Sequence, residues 1–139
     1  MKFTSTIIIS LAALFSVASA DNVRYNTYYD NAHTSLNNVA CSNGDNGLVT
    51  KGYPTFGSLP TFPNIGGVYA VKGWNSPECG SCWKLMYEGK SIYVTAIDTN
   101  WNGFDLSLES MNTLTNGKAE KHDLVNAQAT QVDAWYCGL

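Results

Sequence analysis

Four cysteines, Cys41, Cys79, Cys82 and Cys137, constrain this chain more than any other feature, and two of them stand three apart in GWNSPECGSCWKL, residues 73–85. A pair at that spacing has three readings: a redox dithiol, half of a zinc site, or two half-cystines bonded elsewhere. A redox dithiol sits where a helix begins, because free amides and the helix dipole stabilise the thiolate there. The residues after Cys82 alternate instead, with Trp83, Leu85 and Tyr87 set against Lys84, Met86 and Glu88, which is the period of a strand. A four-thiolate zinc site needs a second close pair, and Cys41 and Cys137 stand alone. Two disulfides are therefore expected. Direct bonding of Cys79 to Cys82 would close a strained loop. The two remaining connectivities send the pair outward to Cys41 and Cys137, and the spacing does not choose between them.

The N-terminus supplies the compartment in which such bonds persist. Met1-Lys2 gives a positive start, Thr6 to Val17 is almost wholly apolar, and Ala18-Ser19-Ala20 ends the run with a small-x-small pattern. The apolar run is too short to cross a bilayer as a mature helix. Residues 1–20 are expected to be a removed export signal, and residues 21–139 a single domain of a secreted, extracellular protein. Loss of Lys2 leaves seven basic residues against eleven acidic ones, a net charge of −4. With no basic cluster to neutralise phosphates, neither nucleic acid nor membrane insertion is expected, and a neutral or apolar partner is favoured.

Cys82 to Asp98 reads as a β-hairpin, CWKLMY and SIYVTAID flanking a three-residue connection Glu88-Gly89-Lys90. Leu36 to Cys41 is expected as a short strand, and Ser42 to Gly47 as a turn. Leu48 to Asn75, with three prolines, is expected as ordered loop carrying a helical turn near Gly67 to Val71. Leu106 to Leu114 has helical spacing, with Ser107 or Asp105 as N-cap and Asn116-Gly117 as the stop. Lys118 to Asp123 is expected as polar loop, and Leu124 to Cys137 as a terminal strand. Short strands joined by turn chemistry point to a mostly β domain, a small barrel or sandwich.

Several stretches together carry a resemblance. CSNGDNGL, FPNIGGV, GWNSPECGSCWKL, SIYVTAID, LTNG and QVDAWYCGL are similar to the corresponding segments of the cerato-platanin family of small secreted fungal proteins, over essentially all of residues 21–139. The resemblance implies a six-stranded double-psi β-barrel with short helices, like the first domain of expansins. It also implies the disulfides Cys41–Cys79 and Cys82–Cys137. It further implies a non-catalytic, cell-wall-associated binder of N-acetylglucosamine oligomers or other wall polysaccharide such as cellulose. Such a protein loosens walls and is perceived by plants, through a surface receptor, as an elicitor or phytotoxin.

Within that frame Asp98 is the principal candidate, because the resemblance places an acid at this position in a polysaccharide-facing groove. The competing reading is that Asp98 caps the turn begun by Thr99-Asn100. Tyr25, Asn26, Asp105, Trp101, Asn102 and Gln131 complete the candidate ligand-binding set, rings stacking on sugar faces and amides forming a polar rim. Where the family usually carries an acid this chain has Asn26, and where it often carries Asn this chain has Asp105. Trp74 and Trp83, flanking the cystines, are expected in the core. A glycosidase needs a second carboxylate roughly 6.5 to 9.5 Å from the first, or closer for a retaining enzyme, and only Asp105 and Asp133 are candidates. Weak hydrolysis and a surface-active structural role in the wall are the alternative functions. His33 and His122 lack metal-ligand spacing, and no nucleotide or cofactor fingerprint is present, so neither metal nor cofactor is expected.

Overall fold

A computed structural model of the chain describes residues 17–139, leaving most of the expected export signal outside the described residues. Six strands close into one barrel: β1 (Ser19–Tyr25), β2 (Ile65–Val68), β3 (Cys82–Tyr87), β4 (Lys90–Thr99), β5 (Phe104–Leu106) and β6 (Val125–Val132). Their order around the barrel is β1-β5-β2-β4-β3-β6. The β1–β5 and β2–β4 pairs are parallel and the others antiparallel, so the barrel is mixed, the architecture the resemblance implies. Ser19 and Ala20, the last two residues of the expected leader, extend β1 by pairing with Ala129 and Gln128.

The hairpin forms where its alternation places it, and it is tighter than expected. Lys90 pairs with Tyr87, which leaves Glu88-Gly89 as a two-residue turn with φ of 47° and 81°. Both positive angles suit the right-handed twist of the flanking strands, and Gly89 adopts its angle without steric cost. β3 buries Trp83 and Leu85, and β6 buries Val125, Ala127 and Ala129, so the barrel interior is filled by the predicted face of each.

Several expectations are corrected. The Gly67 to Val71 segment is not a helical turn: Ile65 to Val68 is strand β2, buried throughout between β4 and β5. A strand buried on both faces has no period to read. Leu36–Asn38 is a 3-10 turn rather than the start of a strand, because the Ser35 hydroxyl caps it by accepting from the Asn37 amide at 3.0 Å. Leu106 belongs to β5, so helix α1 spans Leu108–Thr115, with Ser107 as its N-cap and Asn116 ending it in the left-handed conformation. Ala119–His122 forms a one-turn helix α2, not loop, its entry fixed by the Asn112 side chain accepting from the Ala119 amide at 3.0 Å. β6 ends at Val132, and a 3-10 turn, Ala134–Cys137, delivers the last cysteine.

The disulfides are Cys41–Cys79 and Cys82–Cys137. Each residue of the CGSC pair therefore ties the head of β3 to a different part of the chain. Trp83 is core as expected, but Trp74 is not. It is 62% exposed and lies against the Ser42–Gly47 turn, with its indole N–H donating to Asn43 at 2.6 Å.

Candidate groove at the end of strand β4

β4 carries one irregularity, and it falls where the candidate acid is. Gly66 pairs with Ala96 and Gly67 with Asp98, so Ile97 has no partner on β2. This bulge keeps Thr95, Ala96 and Ile97 all buried and turns the next side chain, Asp98, to a half-buried position beside Gly67.

Three donors then fix the Asp98 carboxylate. Oδ1 accepts from the Ala40 amide at 3.1 Å and from the Thr99 amide at 2.9 Å, and Oδ2 accepts from the Tyr29 hydroxyl at 3.0 Å. The Thr99 contact is the turn cap anticipated as the competing role for Asp98. The other two come from residues distant in sequence, so capping alone does not describe it. Neighbouring Cys41 donates its amide to the Ile97 carbonyl at 3.1 Å and is bonded to Cys79, which holds the Ala40 donor beside the carboxylate.

Tyr29 is placed by the 3-10 turn Thr27–Asp30. Asn26 opens that turn by accepting from the Tyr28 amide at 2.9 Å, and Asp30 closes it by accepting from the amides of Leu108 and Glu109 at the head of α1, at 2.7 and 3.0 Å. Burial, followed by the charge of Asp98 and the hydrogen bond to it, pushes the Tyr29 phenol far above its ordinary range. Tyr29 is therefore a permanent donor.

Asp105 pairs with Gly67 from the other side and with Arg24 on β1. The two acids thus stand two strand spacings apart, about 10 Å between backbones, with a glycine between them. Burial raises the pKa of Asp105, donation from Asn26 and the charge of Arg24 pull it back, and the charge of Asp98 adds to the rise. Gly67 lets the end of β4 and the Tyr29 ring pack closely against β2. A Cβ built there would lie 2.7 Å from the Thr99 carbonyl oxygen and 3.3 Å from the Tyr29 hydroxyl.

Asn26, Asp98 and Asp105 are thus brought together. Tyr25 is half-buried at the end of β1, paired with Leu106 and packed on the core. Trp101 is 99% exposed on the loop that follows β4, beside a cleft of about 190 Å³ formed with Tyr69, Lys72, Thr99 and Asn100. Asn102 holds that loop through its carbonyl, which accepts from the Asn100 side chain at 2.9 Å. Gln131 is placed elsewhere: its amide donates to Glu78 at 2.8 Å in a separate cleft near the cystines. Asp133 is also remote in role, accepting from the Trp135 amide at 2.9 Å as a turn cap.

The sequence alone does not place Gly67 or Arg24 beside the acids, nor show Tyr29, a candidate stacking ring, as a donor to Asp98. The pair Gly66-Gly67 inside an apolar run was the available signal for close backbone approach. Nothing local announces a hydrogen bond between residues as far apart as Tyr29 and Asp98.

A family model described as cerato-platanin matches residues 21–139. The Allergen Asp f 15 of Aspergillus fumigatus is 47% identical, covering 99% of this chain and 97% of its own length. The crystal structure of cerato-platanin 2 from M. perniciosa superposes with a TM-score of 0.84 at 44% identity, over 87% of this chain and all of that one. The solution structure of the fungal elicitor cerato-platanin superposes with a TM-score of 0.75 at 38% identity, over 84% of this chain and 95% of that one.

Proposed function

The chain belongs to the cerato-platanin family, and from that premise we propose that it is a secreted, non-catalytic binder of wall polysaccharide, N-acetylglucosamine oligomers or cellulose-like chains, that loosens wall packing and acts on plants as an elicitor. The observation that supports this reading is the pair of half-buried acids, Asp98 and Asp105, set on either side of Gly67 across the strands. A carboxylate held in place by Tyr29 and two amides presents its remaining lone pairs to sugar hydroxyls without reorganisation. Trp101, fully exposed three residues beyond Asp98 beside the cleft that Thr99 and Asn100 help to line, offers a ring to stack on a sugar face. The elicitor role extends to this chain what is said of the related solution structure.

A hydrolytic reading draws on one observation: Asp98 and Asp105 flank a gap in unlike environments, and Asp105 is shifted towards its protonated form. Against it, both oxygens of Asp98 are engaged by fixed donors, so it is poorly disposed to activate water. Backbone amide NMR during titration with N-acetylglucosamine oligomers tests the binding reading. Shifts are expected at Gly67, Asp98 and Asn100, weakened in Asp98→Asn, a variant that keeps the shape of the site. Unmoved amides there, or shifts indifferent to the substitution, would remove the groove as the binding site. Release of reducing sugar from the same oligomers would replace binding with hydrolysis.

A further inference from the structure

The groove uses β2, β5 and the end of β4, and leaves the other side of the barrel unassigned. We propose that the outer face of β4, β3 and β6, headed by Tyr93, Tyr136 and Trp135, is a second polysaccharide-binding surface, so that one molecule holds two neutral sugar chains. This builds on the reading of the groove as a polysaccharide site.

The register places two outward rows across these strands. Tyr93, Lys84 and Thr130 are cross-strand partners in one row, and Ser91, Met86 and Gln128 in the next. The residues between them, Ile92, Leu85 and Ala129, are buried, so both rows face solvent. At the end of the first row the ring of Tyr136 stacks on Tyr93, with centroids 5.5 Å apart and planes within 14°. Trp135 meets Tyr136 edge-on at 5.2 Å. Trp135 is 75% and Tyr136 51% exposed.

The backbone beneath these rings is held in place. The turn that carries them begins with the Asp133 carboxylate accepting from the Trp135 amide, and is closed by bonds from the Tyr136 amide to the Asp133 carbonyl and from the Gly138 amide to the Trp135 carbonyl. It ends in Cys137, bonded to Cys82 at the head of β3. The rings and the sheet are therefore one preorganised unit, and a ligand immobilises little in binding it.

The chemistry of the face selects the occupant. A pyranose offers a flat C–H face with hydroxyls around its edge. Exposed rings match the first, and Lys84, Thr130, Ser91 and Gln128 match the second. One cation in two rows does not suit a polyanion. A face in which a lysine stands between the aromatic and hydroxyl partners is also unlike the core of a protein–protein interface, where lysine is depleted. The circular strand order puts β3 and β6 across the barrel from β2 and β5, so the groove and this face look in different directions.

The test follows both sites at once, by NMR with N-acetylglucosamine hexamer and with cellohexaose. The Trp135 indole N–H and the Lys84 and Thr130 amides are expected to shift alongside Gly67. In Trp135→Ala/Tyr136→Ala the first set falls silent while Gly67 still responds, and retention on insoluble chitin or cellulose weakens by about tenfold or more, as loss of aromatic anchors and of a second attachment point does. Asp98→Asn gives the reverse pattern in solution. A silent Trp135 beside a responding Gly67, with both oligomers, would overturn the second surface and leave the groove reading intact. A responding Trp135 beside a silent Gly67 would support this surface and remove the groove. Shifts of Trp135 on concentrating the protein without sugar, with dimer in sedimentation, would make a second copy the occupant and overturn the proposal.

Discussion

Asp105 pairs with Arg24 on one side and Gly67 on the other, and its half-buried carboxyl holds a proton more tightly than in the unfolded chain, where the ordinary value is 3.8. An acid whose folded pKa is raised contributes stability that is complete below the unfolded value and is lost as pH rises through the folded one, because over that window the unfolded chain has released a proton that the native state still holds. Asp105→Asn removes that loss. Denaturant melts at a series of pH values, from below 3.8 to neutral, are expected to show the variant gaining on the wild type as pH rises. A constant difference across that window would mean that Asp105 does not titrate abnormally. The acids were legible through the resemblance, with Asp98 standing also at the end of an apolar strand. Their partners were not: Tyr29 and Ala40 reach Asp98 only through the fold, and the bulge at Ile97 that aims the carboxylate is a matter of pairing between strands. Gln131, expected as part of the polar rim, lies instead in a different cleft, where it bonds Glu78.

At the scale of elements, α1 shows how one side chain joins helix and barrel. Ser107 is fully buried; its hydroxyl accepts from the Ser110 amide at 3.0 Å and donates to the Pro63 carbonyl at 2.6 Å. Ser107→Ala removes the cap and strands a buried carbonyl and amide together, at a cost of about 2 to 3 kcal/mol. The Tm is expected to fall by several degrees, measured calorimetrically, whereas substitution of exposed Glu109 should leave it nearly unchanged. The elements that sequence reveals are those with a period. The hairpin alternates and α1 has a helical stripe with its cap and stop in place. β2, four residues of IGGV buried on every side, has neither period nor propensity in its favour, and β5 is only three residues long. β1 buries Val23 alone among its seven residues, so barrel closure hides in a stretch that reads as polar.

For the whole molecule, the two cystines close segments separated by 38 and 55 residues. In the chain-entropy account each restricts the unfolded chain by about 4 kcal/mol, a large share of the stability of a domain this size. Reduction by thiol is expected to lower the thermal midpoint by tens of degrees or abolish the transition, and an unchanged midpoint would show that these bonds are not structural. Composition and turn chemistry gave a small mostly β domain; the closed six-stranded barrel and the pairing of the cystines came through the resemblance. That is as it must be, since strand order is a long-range property that local patterning does not encode.

β1 lies between β5 and β6, pairing Val23 with Phe104 on one side and with Val125 on the other. The earliest described strand thus waits for the latest ones, and during synthesis it has no lasting neighbour. Such distant pairings must pay loop closure before any contact rewards it, which makes assembly slow and late rather than progressive. A chain truncated before Val125 leaves the sheet open along two edges, and the barrel therefore closes only once β6 is in place.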